Sequence, residues 1–318
     1  MIRSGKVAAL LEFYTDTPSM ITVFGSINMD LVATAKRLPK PGETVTGETF
    51  STAAGGKGAN QALAARRAGA TVKMAGAAGD DTFAAPALTL LRDAGTDLSL
   101  VKTTPGPTGT AVILIGEGGE NMISVIPAAN GEVSASDAAK ALAEMSAGDI
   151  LMLQFEIPAS AIEAALTAAK AKRVTTVINT APLTADGPRL AGLADIVIAN
   201  ETEFELLIGK NGLSGSEREN ELKALHDRTG QTLIVTLGAD GVIAMRNGKV
   251  FRASGLKIEP VDTVGAGDTF CGYLAASLDQ GMDFERALKR AAVAGSLACT
   301  RAGAQPSIPL AAEVDAAL

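Results

Sequence analysis

Histidine, cysteine and aromatic residues are scarce in this chain, and each shortage removes a class of chemistry. There is one histidine, His226. A histidine-based zinc site or a Ser-His-Asp triad therefore has little material to work with. His226 stands in the polar pattern Leu222-Lys223-Ala224-Leu225-His226-Asp227, which places it on the surface of a helix. The two cysteines, Cys271 and Cys299, lie in apolar helical surroundings without metal-ligand spacing. Both are expected as buried free thiols, and no disulfide framework is indicated. No strong block of Lys and Arg occurs and the formal net charge is −7. The basic footprint that a nucleic-acid partner requires is missing. An anionic substrate stays open, because backbone amides bind anions locally. No apolar run approaches the length of a membrane span.

What is present is aliphatic. Of 318 residues, 47% are hydrophobic, mostly Ala, Val, Leu and Ile, while aromatics make up 3%. Such a composition suits helices packed on a parallel sheet. The length allows one large α/β domain or two smaller ones. From Ser136 onward, helical and strand patterns alternate: helix 136–145, strand 149–153, helix 158–171, strand 174–178, strand 196–199 with a helix after it, strand 233–236. That alternation predicts a doubly wound, mainly parallel sheet, an α/β fold. Upstream, strands are expected at 21–24 and 72–77, and a helix from Gly79-Asp80-Asp81 through Asp93. Strands 108–115 and 121–126 read as a hairpin over Gly116–Glu120. Together with the Thr-rich stretch 44–52 they suggest a small separate sheet, a natural lid. The first nineteen residues, Met1–Ser19, read as a loosely attached or disordered extension, with Met20 as a possible start.

Polar and glycine-rich motifs follow the strands. Ser26-Ile27-Asn28-Met29-Asp30 follows the first strand, where Asn28 and Asp30 suit either a turn or hydrogen bonds to neighbouring sugar hydroxyls. Ala54-Gly55-Gly56-Lys57-Gly58-Ala59-Asn60-Gln61 opens an alanine-rich helix. It is not a phosphate-binding Walker loop, because Lys57 precedes Gly58, and not a dinucleotide fingerprint, because Gln61 replaces the third glycine. Val261 to Phe270 carries Gly265-Ala266-Gly267 at a helix start, with Asp268 beside it. Read alone, this stretch is equally a glycine turn and an anion-binding helix start with a carboxylate placed to take a proton. The last loop, Thr300 to Pro309, has small residues and carbonyls near Asp262, which suits an ordinary loop or a hard monovalent cation.

The set of motifs, in this order, resembles the ribokinase-like (PfkB) family of carbohydrate and nucleoside kinases over about residues 20–318. It rests on Gly25–Asp30, Gly55–Gln61, Asn200-Glu201-Thr202-Glu203, Thr236–Gly241, Asp262–Phe270 and Thr300–Ser307. The resemblance implies an α/β/α sandwich with a small β lid formed by segments of about 30–54 and 108–128. It implies transfer of the γ-phosphoryl group of ATP to a primary hydroxyl, the 5-hydroxyl if the sugar is ribose, with other sugars or a nucleoside as alternatives. A non-catalytic sugar-binding protein is the rival reading, and the presence of Asp268 speaks against it. By resemblance Asp268 is the general base, and the amides of Gly265, Ala266 and Gly267 form the anion hole. Asn28, Asp30, Gly56, Lys57, Asn60, Ala111 and Glu156 would contact the sugar. Asn200 and Glu203 would organise Mg²⁺ and phosphates. Thr236, Leu237, Gly238, Ala239, Asp240 and Gly241 would lie along the nucleotide. Asp262, Val264, Ala298, Arg301, Gly303 and Ser307 match positions that hold an activating K⁺. A homodimer through the lid strands and a cytoplasmic location are further family expectations. One departure is Ala292, where many relatives place a polar residue near the adenine.

Overall fold

Two sheets organise residues 19–318, the part of the chain that the computed structural model describes; the extension expected over Met1–Ser19 lies outside the described residues apart from Ser19. The larger sheet has nine strands in the order β13-β12-β11-β10-β9-β8-β1-β4-β5. Its members are β1 (Ile21–Phe24), β4 (Val72–Ala78), β5 (Asp97–Thr103), β8 (Ile150–Leu153), β9 (Thr175–Asn179), β10 (Ile196–Asn200), β11 (Thr232–Thr236), β12 (Val242–Arg246) and β13 (Lys249–Ala253). From β5 across to β11 every pairing is parallel, and β12 and β13 add an antiparallel hairpin at one edge. The smaller sheet, β3-β2-β6-β7, comprises β2 (Asn28–Ala35), β3 (Gly47–Gly55), β6 (Gly109–Gly116) and β7 (Asn121–Ile126).

Alternation along the parallel strands splits the core in two. Ile150 and Met152 join one apolar cluster, while Leu151 and Leu153 join the other. Both faces of the sheet are therefore covered, which is why these strands read as unbroken apolar runs. On one face lie helices α1 (Lys57–Arg67), α9 (Ala266–Asp279) and α10 (Phe284–Ala298), with the short α2 (Ala84–Ala87) and α3 (Thr89–Asp93). On the other lie α4 (Ala135–Ala143), α5 (Ala159–Lys172), α6 (Gly187–Ala191), α7 (Glu201–Leu207) and α8 (Gly215–Thr229). Full burial of a Leu or Ile in such a layer contributes about 1.5–3 kcal/mol. The last two helices are α11 (Ala304–Ser307) and α12 (Ala311–Asp315). Helix starts follow local chemistry: Asn200 with Glu203, and Ser214 with Glu217, close reciprocal capping boxes on α7 and α8.

Several expectations need correction. Asn28 and Asp30, which suited either a turn or sugar contacts, lie at the start of β2 (Asn28–Ala35), the strand that pairs with β3 and β6 in the small sheet. The helix expected through Asp93 is two short helices, and β5 and the β12–β13 hairpin were not foreseen. The closing loop contains α11. His226 is buried, not on the surface: Nδ1 lies 2.6 Å from the Gln231 carbonyl oxygen, and Nε2 accepts the Gly248 N–H at 2.9 Å. Its polar neighbours hid this, because the ring is buried to hydrogen-bond two loops. Cys271 is buried and free as expected, whereas the free Cys299 is partly exposed at the end of α10.

Candidate active site

Parallel pairing sends the carboxyl ends of β1, β8, β9, β10 and β11 to one edge, where an α/β sheet binds its ligands. The amino ends of α1 and α9 reach the same edge, since Asn60 and Gln61 of α1 touch Asp268 of α9. Asp268, 7% exposed, is in the first turn of α9. Its Oδ2 accepts from Asn60 Nδ2 at 2.9 Å, and its Oδ1 from Gln61 Nε2 at 3.0 Å. The carboxylate is thus held in one orientation from two sides. Asn60 Oδ1 is buried and has no partner among the described residues. An orphaned acceptor beside a held carboxylate is a natural place for a ligand hydroxyl.

Gly265 sets the backbone of the loop before α9. Its φ is 77°, and a Cβ there would stand 3.0 Å from the Cα of Ala304. Among the described residues the N–H groups of Gly265, Gly267 and Asp268 have no hydrogen-bond acceptor, whereas that of Ala266 reaches the Thr263 carbonyl at 3.3 Å. Free amides at a helix start carry partial positive charge and favour an anion.

The small sheet brings Asp30 and Ala111 into direct register. Asp30 is pushed up from the ordinary 3.8 to about 6, first by burial, then by the Glu156 carboxylate, with Lys57 pulling the other way. Burial alone would lower Lys57, yet Asp268, Glu156 and Glu203 hold its ammonium above the usual value. Glu156 also braces the backbone, accepting the Ser26 hydroxyl at 2.6 Å and the Lys57 N–H at 3.1 Å. Gly56, with φ 86°, lets the chain pass against the Asn28 amide. Asn28 Oδ1 accepts from Asn130 Nδ2 at 2.7 Å, and Asn130 also clamps both backbone groups of Ile27.

Along the edge, Asn200 pairs in register with Thr236, and Leu237 to Gly241 make a tight turn. Asn200 and Glu203 bond each other in the α7 cap, and Glu203 also accepts the Thr180 hydroxyl at 3.3 Å. Behind the glycine loop, Asp262 accepts the N–H of Val264 at 3.0 Å and of Gly303 at 2.8 Å. The Ser307 hydroxyl bonds the Ala304 carbonyl, and the Ala298 carbonyl accepts the Arg301 N–H. The Arg301 side chain leaves this cluster for an ion pair with Glu313. No group of three or more His, Cys, Asp or Glu suited to a metal occurs among the described residues. One carboxylate, a hydroxyl and backbone carbonyls fit a hard monovalent cation better than a transition metal.

Four residues were missed by sequence reasoning: Gln61 as a partner of Asp268, and Gln154, Asn179 and Asn130. Gln61 stood inside the quoted motif. Gln154 and Asn179 each follow or end a strand at the polar edge, which was their only signal.

A family model for the pfkB family carbohydrate kinases matches residues 18–311. The chain belongs to the pfkB family. It is 36% identical to the ribokinase of Haemophilus influenzae over 290 residues, 91% of this chain and 95% of the relative. It is 31% identical to the deoxyribokinase of Salmonella typhi, again over 91% and 95%. The structure of Arabidopsis thaliana ribokinase complexed with ribose and ATP superposes with a TM-score of 0.84 at 30% identity, covering 94% of this chain and 98% of the other. Family membership bears out the resemblance seen in the motifs, and the two-sheet α/β architecture bears out the expected fold.

Proposed function

We propose that the chain is an ATP-dependent kinase that phosphorylates the 5-hydroxyl of D-ribose to give ribose 5-phosphate. The observation that carries this reading is the buried Asp268 carboxylate, oriented by Asn60 and Gln61 beside unpaired amides at the start of α9. In this reading Asp268 accepts the proton of the 5-hydroxyl as its oxygen bonds to the γ-phosphorus. The bond from that phosphorus to the β,γ-bridging oxygen breaks, and ADP leaves with the electron pair. The amides of Gly265, Ala266 and Gly267 face the charge on the moving phosphoryl group; the Ala266 N–H must first give up its long bond to Thr263.

Asn28, Asp30, Gly56, Lys57, Asn60, Ala111 and Glu156 would hold the sugar, with Asp30 and Lys57 bonding its hydroxyls. Thr236 to Gly241 would lie along ATP. Mg²⁺ bound with ATP would neutralise phosphate charge, and Asn200 and Glu203 would help to organise it and the phosphates, largely through water. K⁺ held by Asp262, Val264, Ala298, Arg301, Gly303 and Ser307, largely through carbonyls, would stiffen the glycine loop. The four-stranded sheet serves as a lid that excludes water, which otherwise competes as phosphoryl acceptor. Its exposed apolar residues support a homodimer through the same strands. Use of ATP fits a cytoplasmic location.

The likeness to a deoxyribokinase keeps deoxyribose as the second reading. A coupled assay of ADP formation over a panel of pentoses, deoxyribose, hexoses and nucleosides tests both. Ribose should give the highest kcat/KM. A higher value for another acceptor would replace the substrate, and no turnover with any of them would end the reading.

A further inference from the structure

Two fully buried glutamines stand behind Asp268: Gln61, which holds its carboxylate, and Gln154, which holds Gln61. Gln154, just past β8, donates from Nε2 to Oε1 of Gln61 at 2.7 Å. Gln61 donates from its single amide nitrogen to Asp268 Oδ1 at 3.0 Å and to Asn179 Oδ1 at 3.2 Å. Asn179 in turn donates to the Ile198 carbonyl at 3.3 Å, which turns its oxygen toward Gln61. The path Gln154–Gln61–Asp268 crosses from the end of β8 through α1 to α9.

A buried chain of amides is expensive compared with apolar packing. Here the cost is visible, because Gln154 Oε1 has no partner among the described residues. The chemistry of the amide explains what such a chain does. A primary amide can turn either end to a neighbour, but an ionised carboxylate only accepts. If Gln61 turned around, its oxygen would face Asp268 Oδ1 and repel it. Nothing in Gln61 itself prevents that. Three neighbours favour one direction: the acceptor-only Asp268 and the oxygen of Asn179 take the nitrogen of Gln61, and the N–H of Gln154 takes its oxygen.

We propose that Gln154 is a positioning residue for the reaction: acting with Asn179, it locks Gln61 with its amide nitrogen toward Asp268 and so fixes the plane of the catalytic carboxylate. This rests on the reading of Asp268 as the base. Each carboxylate oxygen keeps a second lone pair for the sugar hydroxyl, so the lock orients the base without occupying it. Gln154 has no hydrogen bond to Asp268 itself, and its influence passes through Gln61.

The discriminating variant is Gln154→Glu, which keeps shape and changes one property. When the introduced carboxyl is protonated it still donates to Gln61 Oε1. When it is ionised it repels that oxygen and attracts the amide nitrogen, which turns Gln61 around. The ratio of variant to unchanged kcat should therefore stay within about threefold of one near pH 6. It should fall about 10- to 100-fold toward pH 9.5, the scale of a misplaced reacting group. The KM for ribose should stay within about threefold throughout. Lys57 from α1, Asp30 from β2, Glu156 beyond β8, Glu203 from α7 and Cys271 from α9 share this electrostatic neighbourhood. They are present in both enzymes, so the ratio removes their common contribution. Thermal melts in the same buffers report the fold. A ratio that does not change with pH overturns the proposal.

If Gln154→Glu does not fold, Gln61→Met takes its place, removing both amide bonds at similar volume. It should lower kcat on the same scale without raising KM, and an unchanged kcat overturns the proposal. Failure of the base reading is seen separately. Asp268→Asn with full turnover would remove the base without touching Gln154. With the base reading intact, Gln154→Glu placed in the Asp268→Asn background should add no pH-dependent loss, and an added loss overturns the proposal.

Discussion

Asp262 accepts the backbone N–H of Gly303 at 2.8 Å, joining the arm before α9 to the loop after α10 across 41 residues of sequence. Its other oxygen holds Val264, one residue before the glycine loop. This carboxylate, together with the Cys299 carbonyl that accepts the Val261 N–H at 2.8 Å, ties down the arm that leads into the loop, and it is also the one charged ligand of the proposed K⁺ site. Asp262→Ala should lower kcat by about tenfold or more, the effect of loosening a positioned loop. It should also abolish the difference between KCl and NaCl in initial-rate assays. A variant still activated by K⁺ would remove Asp262 from the cation site, and an unchanged enzyme indifferent to the cation would remove the site itself.

Asp268→Asn keeps the size of the side chain and most of its polar surface but cannot take a proton from the sugar. A positioned general base contributes about 10²- to 10⁴-fold, so kcat should fall by that factor. Ribose binding, followed by calorimetry, should persist, since several other groups would hold the sugar. Near-normal turnover would exclude Asp268 as the base.

With Asp30 in the proposed sugar site, activity should depend on pH. The Asp30 carboxyl titrates at about 6 in the folded chain against an ordinary 3.8. A raised carboxyl means that the native state prefers the protonated form. Below pH 3.8 both states hold the proton and nothing is lost; between 3.8 and 6 stability falls, and above 6 the loss is complete. That loss is at most about 3 kcal/mol. Asp30→Asn should therefore raise Tm at pH 8 by about 2–6 °C, with the gain shrinking as pH drops toward 4. In the proposed sugar site a ribose hydroxyl would donate to the ionised Asp30, so the unchanged enzyme should show KM rising below pH 6. Asp30→Asn should have a KM about 10- to 100-fold higher, from loss of a hydrogen bond to a charged group, and no pH dependence from this source. A Tm difference that does not vary with pH would show that Asp30 is not the titrating group.

Much of this is legible in the sequence. The parallel sheet showed in apolar strands, because both faces are buried and alternation disappears; Ile150–Leu153 is the plain case. Asp268 and the glycine loop showed because a helix start needs small residues where an anion approaches. Other features did not show. β2 begins at Asn28, and polar residues there look like a turn until β3 and β6 pair with it from either side. Gln61, Gln154 and Asn179 come from three elements and meet only after folding, so no spacing links them. Single-residue burial, as at His226, depends on which loops arrive above it.

The small sheet carries apolar residues that none of the described residues covers. Phe50 is 68% exposed, Met122 52% and Ile123 55%. In the strand register Phe50, Val112 and Met122 share one face, while Ile123 and Val125 occupy the other. Exposed apolar sheet of this kind marks an interaction surface. Phe50→Asp with Met122→Asp should convert a dimer to a monomer by light scattering. It should also raise the KM for ribose several-fold, because β2 and β6 carry Asp30 and Ala111. An unchanged mass for the double variant would move the dimer contact elsewhere, and a monomeric parent would remove it.

Gly272 sets the distance on which the site depends. It lies one turn beyond Asp268 on α9, and a Cβ there would stand 2.5 Å from Ala64 Cβ and 2.6 Å from the Gln61 carbonyl oxygen, both on α1. These neighbours are the α1 backbone and a methyl group, neither of which can swing aside. Gly272→Ala must therefore push α1 from α9, and with it Asn60 and Gln61 from the Asp268 carboxylate. Overpacking of this kind costs about 1–3 kcal/mol, although alanine is the better helix former by about 1 kcal/mol. Gly215→Ala, in the first turn of α8 with open space around it, is the matched control and should be neutral or mildly stabilising. The measurements are urea unfolding and kcat at saturating substrate. Gly272→Ala should lose both stability and about tenfold or more in kcat, because a shift of a fraction of an ångström between base and donors is amplified in the rate. Loss of stability with kcat intact would mean that Asn60 and Gln61 follow Asp268 when the helices part, and that the helix contact does not set the geometry of the base.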